Sequence, residues 1–301
     1  MNHPRTWPSL ALTALTATLM VVLATLLGER EVIFPEITAI AVGMLCAPAP
    51  VWNTSRPRIL LTITACAFAG IGIVRFVPGP LLLRIGVGFA LAICCIALSH
   101  TDFMPAVSAC ILPVVLGTRT LWYVASVVLM TTIILLLQWL LAGRKPLAYI
   151  PVQTDWKLRG KQLLAVLIVC GIPAMTGKIY FIVPPLIVAF LEMSKAGSRV
   201  NRPRAVALTI LAAVVGAASR IGLTQTAGLP LWASCAVSVL LILLVMRQLG
   251  MWFPPAGAIA TLPSLLLPTR ELWLFPVEVA VGISTFALVA GVMFGKKGGA
   301  L

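Results

Sequence analysis

The sequence predicts an all-α polytopic membrane protein: two parallel repeats of five to six transmembrane segments, with short Pro/Gly-broken helices among them. Three observations predict it. Of the 301 residues, 60% are hydrophobic and 10% charged, with a mean hydropathy of +1.08, against about 25% charged in a soluble domain. Apolar runs near ~20 residues, the helical length that spans a bilayer core, follow one another along the whole chain. The same succession of segments then recurs after a single polar interruption.

The first run, 9–27, lies behind MNHPRTWP and leads into GEREVIF. It lacks a small-residue cleavage site, so it reads as a retained transmembrane helix and not a signal peptide. Segments 36–49 (short), 57–76, 81–99, 103–116 (short, Pro-bounded) and 121–142 complete the first repeat, 1–142. A polar link, 143–162, separates it from the second repeat, 163–301. There the segments are 163–176, 182–193 (short), 203–223, 229–249, 254–267 (short, Pro-bounded) and 272–294.

Residue matches identify the duplication. SRPRILLTITACAFAG (55–70) aligns without gaps to NRPRAVALTILAAVVG (201–216), and FMPAVSACILP (103–113) to FPPAGAIATLP (253–263). Thr118-Arg119 and Leu121-Trp122 match Thr269-Arg270 and Leu272-Trp273 with one residue of slack. VIFPE (32–36) and FIVPP (181–185) hold similar places. Four matches in one order mark an internal repeat.

Charge orients the repeats. The link carries Arg144, Lys145, Lys157, Arg159 and Lys161, and SKAGSRVNRPR carries Lys195, Arg199, Arg202 and Arg204. By the positive-inside rule both are cytoplasmic, and Arg5, Lys296 and Lys297 suit the same side. Six passes per half put all these clusters and Arg56 and Arg58 inside; five would invert the second half. The repeats are therefore expected to be parallel, related by an axis along the membrane normal. Ten spans, with the short segments re-entrant, is the alternative. The location expected is a bacterial inner membrane, multi-pass, with both termini cytoplasmic.

The net charge of +14, from 22 Lys and Arg against 8 Asp and Glu, is scattered through short loops. It lacks the tail or aromatic-interleaved patch of a nucleic-acid binder and reads as headgroup contact, with a cationic interior suited to anions. The seven cysteines sit in apolar segments without CxxC or His-paired spacing, as small hydrophobes. No G-x-S-x-G, H-E-x-x-H, P-loop or paired-carboxylate site occurs, and no metal or other cofactor is expected.

The Pro-bounded segments are the first candidates for a site. Pro105, Ala106 and Ser108 in one half, and Pro254, Pro255, Ala256 and Gly257 in the other, combine helix-breaking prolines with small residues. One reading is a kinked helix packed tightly by small side chains. The other is a discontinuous helix whose free N–H groups and positive dipole end line a substrate cavity. Short broken segments at matching places in two halves favour the second reading.

FPPAGAIA (253–260) resembles the motif that names the HPP family of integral membrane proteins, His-Pro-Pro followed by Ala/Gly-rich residues. The surrounding order is similar too: APAPVWNTSRP (47–57), a helix bearing Gly70 and Gly72, another helix, then the Pro-Pro motif. The resemblance covers most of both halves and implies one HPP-like unit in each, with nitrite as the family's associated cargo. Phe253 stands at the motif's histidine, and Phe103-Met104-Pro105 keeps only the second proline.

Ionisable residues at membrane depth are costly and mark function by default. Arg75 and Arg220 hold equivalent places and are candidate anion contacts; they, Arg84 and Arg247 can also snorkel to headgroups. Glu36, opening a short helix, Glu278, isolated in an apolar run, and His100, beside Asp102, are candidate coupling groups. Glu192 is placed to pair with Lys195. The function expected is a secondary transporter or channel for a small solute, a nitrite-like anion for preference, with its site at the repeat interface. The partners are the solute, the lipid bilayer and, in a homo-oligomer, a second copy. The rival readings are a non-transporting scaffold or complex subunit, and an intramembrane enzyme acting on a lipid or quinone.

Overall fold

The computed structural model describes residues 7–195, 198, 200–265 and 269–295. His3, Arg5, Arg199, Lys296 and Lys297, together with the side chains of Thr269 and Arg270, lie outside the described residues. All described elements are helical. Before the link come α1 (Trp7–Leu27), α2 (Glu36–Ala41, continued by a π turn, Val42–Cys46), α3 (Arg56–Phe76), α4 (Leu81–Leu98), α5 (Pro105–Leu116) and α6 (Trp122–Leu141). After it come α7 (Trp156–Thr176), α8 (Pro184–Ser194), α9 (Arg202–Ser219, continued by Arg220–Thr226), α10 (Leu231–Leu249), α11 (Pro254–Thr261, continued by Leu262–Ser264) and α12 (Thr269–Phe294). Each half thus runs long, short, long, long, short, long.

Among the described residues, eight helices are long and apolar enough to cross a membrane: α1, α3, α4, α6, α7, α9, α10 and α12. They bury half or less of their most apolar stretch and turn side chains such as Leu61, Phe68, Leu129, Ile168 and Leu288 outward. A helix apolar on all sides needs an apolar surround on all sides, and the outer faces of these helices have the length and composition that suit lipid. The four short helices are the converse. Every residue of α8 and of Pro254–Thr261 is buried, as is α5 from Pro105 to Val115. They form the core, ringed by the long eight.

The local sequence explains where helices start and stop. Proline occupies the first turn of α3, α5, α8, α9 and α11, where its missing N–H has no intrahelical partner to lose. Asp155 accepts from Leu158 N at 3.0 Å and caps α7; Asn201 accepts from Arg204 N at 3.1 Å and caps α9. Each such cap is worth about 1 kcal/mol. Gly117 and Gly177 (both φ +71°) end α5 and α7 in the left-handed region that favours glycine. Helix α7 starts at Trp156, seven residues earlier than the charged run 157–161 suggested. The reason is that Lys157 and Lys161 stay exposed while Gln162 faces inward.

The helices alternate in direction. At one end, the link end, Trp7 stacks on Arg247 at the end of α10 (4.3 Å), Arg58 donates to Ser99 O beyond α4 (2.6 Å), and Arg56 donates to Gln138 of α6 (2.6 Å) and to Lys145 O (2.7 Å). The link folds onto the same end: Ile150 and Asn53 exchange two hydrogen bonds (2.7 and 3.0 Å), and Val152 N donates to His100 O (2.8 Å). At the far end, Arg75 closes α3 against Arg119 beyond α5.

The long helices grip the short ones through glycine. A Cβ added at Gly216 on α9 would lie 2.7 Å from Ala260 O and 3.0 Å from Pro263 Cγ. One added at Gly70 on α3 would collide with Cys110 O and Pro113. Contacts also cross the link: α1 lies along α10 and α7 along α4, while α2 packs on α11 and α5 on α8. Thr13 on α1 meets Cys46 (3.2 Å), and Gln162 on α7 meets Ser194 (2.8 Å).

Candidate functional site

Breaking a helix at mid-depth brings its first turn into the core. Phe34 N donates to Met20 Sδ (3.1 Å), and Met20 lies in the second half of α1, two turns before its end. Helix α2 therefore begins inside the bundle. Its first residue, Glu36, is 1% exposed, and Ser108, in the first turn of α5, donates its hydroxyl to Glu36 Oε1. Glu36 Oε2 is buried with no hydrogen-bond partner. The structure thus brings together two residues picked separately from the sequence, 72 positions apart.

Around this pair the helices pack closely. Thr38 and Thr261 share a hydrogen bond (2.7 Å) between α2 and α11. A Cβ at Gly257 would lie 3.1 Å from Val42 and 3.3 Å from Thr38, so α11 lies close against α2 and a larger side chain there would press on its neighbours. Tyr123 packs edge-on against Phe34 (5.6 Å between centroids) and donates to Ala109 O (2.9 Å). Pro105, Ala106, Pro254, Pro255 and Ala256 are all buried in protein. Phe253 is buried as well.

The other predicted residues lie elsewhere. Arg75 donates to Arg119 O (2.5 and 3.2 Å) and Arg220 to Pro263 O (3.0 Å) and Ser264 O (3.2 Å). Arg220 thus bonds carbonyls at the C-terminal end of a short helix, where a cation complements the helix dipole, and Arg75 bonds a carbonyl in the loop beyond α5. Glu278 stands 3.9 Å from Lys178. His100 is exposed, with φ +52°, and its carbonyl anchors the link. Among the described residues no group of three or more His, Cys, Asp or Glu side chains is placed to hold a metal ion.

A cavity of about 450 Å³ opens at the link end, lined by Asp102, Glu192, Lys195, Asn201, Arg204 and Phe253 among others. Lys195 binds Glu192 at 2.8 Å and Asp102 at 3.3 Å. Glu192 also accepts from Trp52 Nε1 (2.9 Å), and Asp102 from Asn53 N (2.6 Å). Burial disfavours the lysine charge, but the Glu192 and Asp102 carboxylates outweigh it and hold the Lys195 pKa above its ordinary value. Spacing gave the Glu192–Lys195 pair; no local signal gave Asp102 or Trp52 as their partners.

No family model, curated protein or solved structure matches the chain.

Proposed function

We propose that the protein is a transporter of a bacterial inner membrane that moves a small solute, a small anion for preference, through the centre of the bundle. The observation that carries this reading is the wholly buried core of four broken helices, in which the first turns of α2 and α5 meet at Glu36 and Ser108. Irregular backbone at membrane depth occurs where it is enclosed by protein or lines a path, and paired broken helices are how transporters build midplane sites.

The two halves are proposed to be duplicated, parallel units. The equivalent grips of Gly70 and Gly216, and the crossed packing of α1 on α10 and α7 on α4, support this. The link end, carrying Arg56, Arg58, Lys145, Lys157 and Arg204, is proposed to be cytoplasmic. The preference for an anion rests on the cationic excess of the chain, and nitrite as cargo rests on the HPP resemblance. This reading includes no chemical conversion of the solute.

The test is flux of nitrite, nitrate, formate and chloride into proteoliposomes, beside protein-free vesicles. The wild type is expected to admit at least one of them, and Gly257→Val to block it by wedging α11 from α2. A wild type that moves none of them, nor any small neutral solute, leaves the scaffold reading in place.

A further inference from the structure

We propose that Glu36 is a proton-binding site and that one proton crosses with each anion; this deepens the transport reading and rests on it for the coupling alone. The carboxyl group is enclosed in the bundle, one oxygen accepts from the Ser108 hydroxyl, and the other has no partner. Among the described residues it forms no ion pair with a Lys, Arg or His.

The elements packed on α2 are α1, α5, α6, α11 and the π turn that continues it, whose one titratable side chain is Cys46. Neither α1 nor α11 carries a titratable side chain. Helix α5 contributes Cys110 and α6 contributes Tyr123, whose hydroxyl is already given to Ala109 O. Arg30 and Glu31 lie toward the far end, with Glu31 accepting from Thr120. No neighbour thus offers the positive charge that would hold a buried carboxylate ionised, and an unpaired charge in a low-dielectric interior is costly enough that the group takes a proton instead.

The same proton solves the difficulty of an anion passing an acidic side chain. A carboxylate in this place repels a negative solute; a carboxylic acid donates a hydrogen bond to it. The step balances simply: Glu36 takes one proton from water on one side and releases it on the other, with one anion bound meanwhile and no net charge moved.

The test uses the full chain in lipid nanodiscs and in proteoliposomes. In the infrared, the wild type is expected to show the carbonyl stretch of a protonated carboxylic acid near neutral pH. That band should vanish in Glu36→Gln, persist in Glu278→Gln, and shift in Ser108→Ala, which keeps the acid but removes its hydroxyl partner. In vesicles, a pH gradient should drive anion accumulation by the wild type and not by Glu36→Gln. A wild type without the band, or a band unchanged in both Glu36→Gln and Ser108→Ala, overturns the proposal, as does gradient-driven accumulation by Glu36→Gln equal to wild type. If the band belongs to Glu36 and no anion moves, the proton site stands and the transport reading falls. If Glu36→Gln folds too poorly to use, the Ser108→Ala shift decides.

Discussion

Lys195 reaches 3.3 Å to Asp102, joining the end of α8 to the segment that opens α5 across 93 residues of sequence. Glu192, one turn back on α8, holds the same amine at 2.8 Å and is itself fixed by the Trp52 indole. Three segments are thereby clasped at the mouth of the link-end cavity. Two of them lead directly into or out of the short central helices.

Removing that amine leaves the Glu192 and Asp102 carboxylates without their shared cation. Lys195→Met is expected to lower stability by about 1–3 kcal/mol, the cost of stranding a partly buried partner. Lys157→Met, on the exposed face of α7, is expected to change it by less than about 0.5 kcal/mol. Thermal unfolding in detergent compares them; equal midpoints would remove the clasp from the account.

The clasp also has a pH signature. A lysine whose folded pKa is raised stabilises fully below its unfolded value, about 10.4, and loses that contribution as pH climbs through the raised folded value. Unfolding midpoints should therefore fall more steeply in the wild type than in Lys195→Met as pH rises from about 10.4 through the raised folded value. Parallel alkaline curves would contradict it.

The glycine grips predict a matched pair of defects. Gly70→Ala and Gly216→Ala place a methyl against backbone carbonyls, and each is expected to cost about 1–3 kcal/mol. Gly72 meets nothing within 4 Å, so Gly72→Ala is expected to stabilise α3 by about 0.5–1 kcal/mol, since alanine orders a helix at less entropy loss. Unfolding midpoints of the three variants give the answer.

Arg220 separates a structural from a solute-binding role. Arg220→Ala strips two carbonyls at the end of α11 of their donor and is expected to cost about 1–2 kcal/mol. If the group serves only as a helix-end donor, the anion concentration for half-maximal flux stays at the wild-type value. A large rise in that concentration with stability intact would make Arg220 an anion contact. Arg75, more exposed, is expected to show the smaller stability loss.

What was legible in the sequence follows from what is local. Apolar runs gave the eight long helices, because length and side-chain character act residue by residue. The Arg-Pro-Arg triplets marked the starts of α3 and α9, and the aligned Gly70 and Gly216 marked equivalent places on them. The prolines at 105, 254 and 255 marked broken helices because proline fixes its own φ and removes its own donor. The meeting of Glu36 with Ser108, and of Lys195 with Asp102, was not legible. Those contacts are set by how α2 lies against α5 and how α8 ends beside it, and no periodicity within one segment encodes that. The start of α7 was missed because lysines on a helix face read in one dimension like a polar link.

The most direct measurement of the central claim is proton movement driven by an anion gradient, read with a pH dye trapped inside proteoliposomes. With nitrite or another small anion outside, wild-type vesicles should acidify internally as anion and proton enter together, and Glu36→Gln vesicles should not. Internal pH that stays at the level of protein-free vesicles for every anion offered would contradict the account.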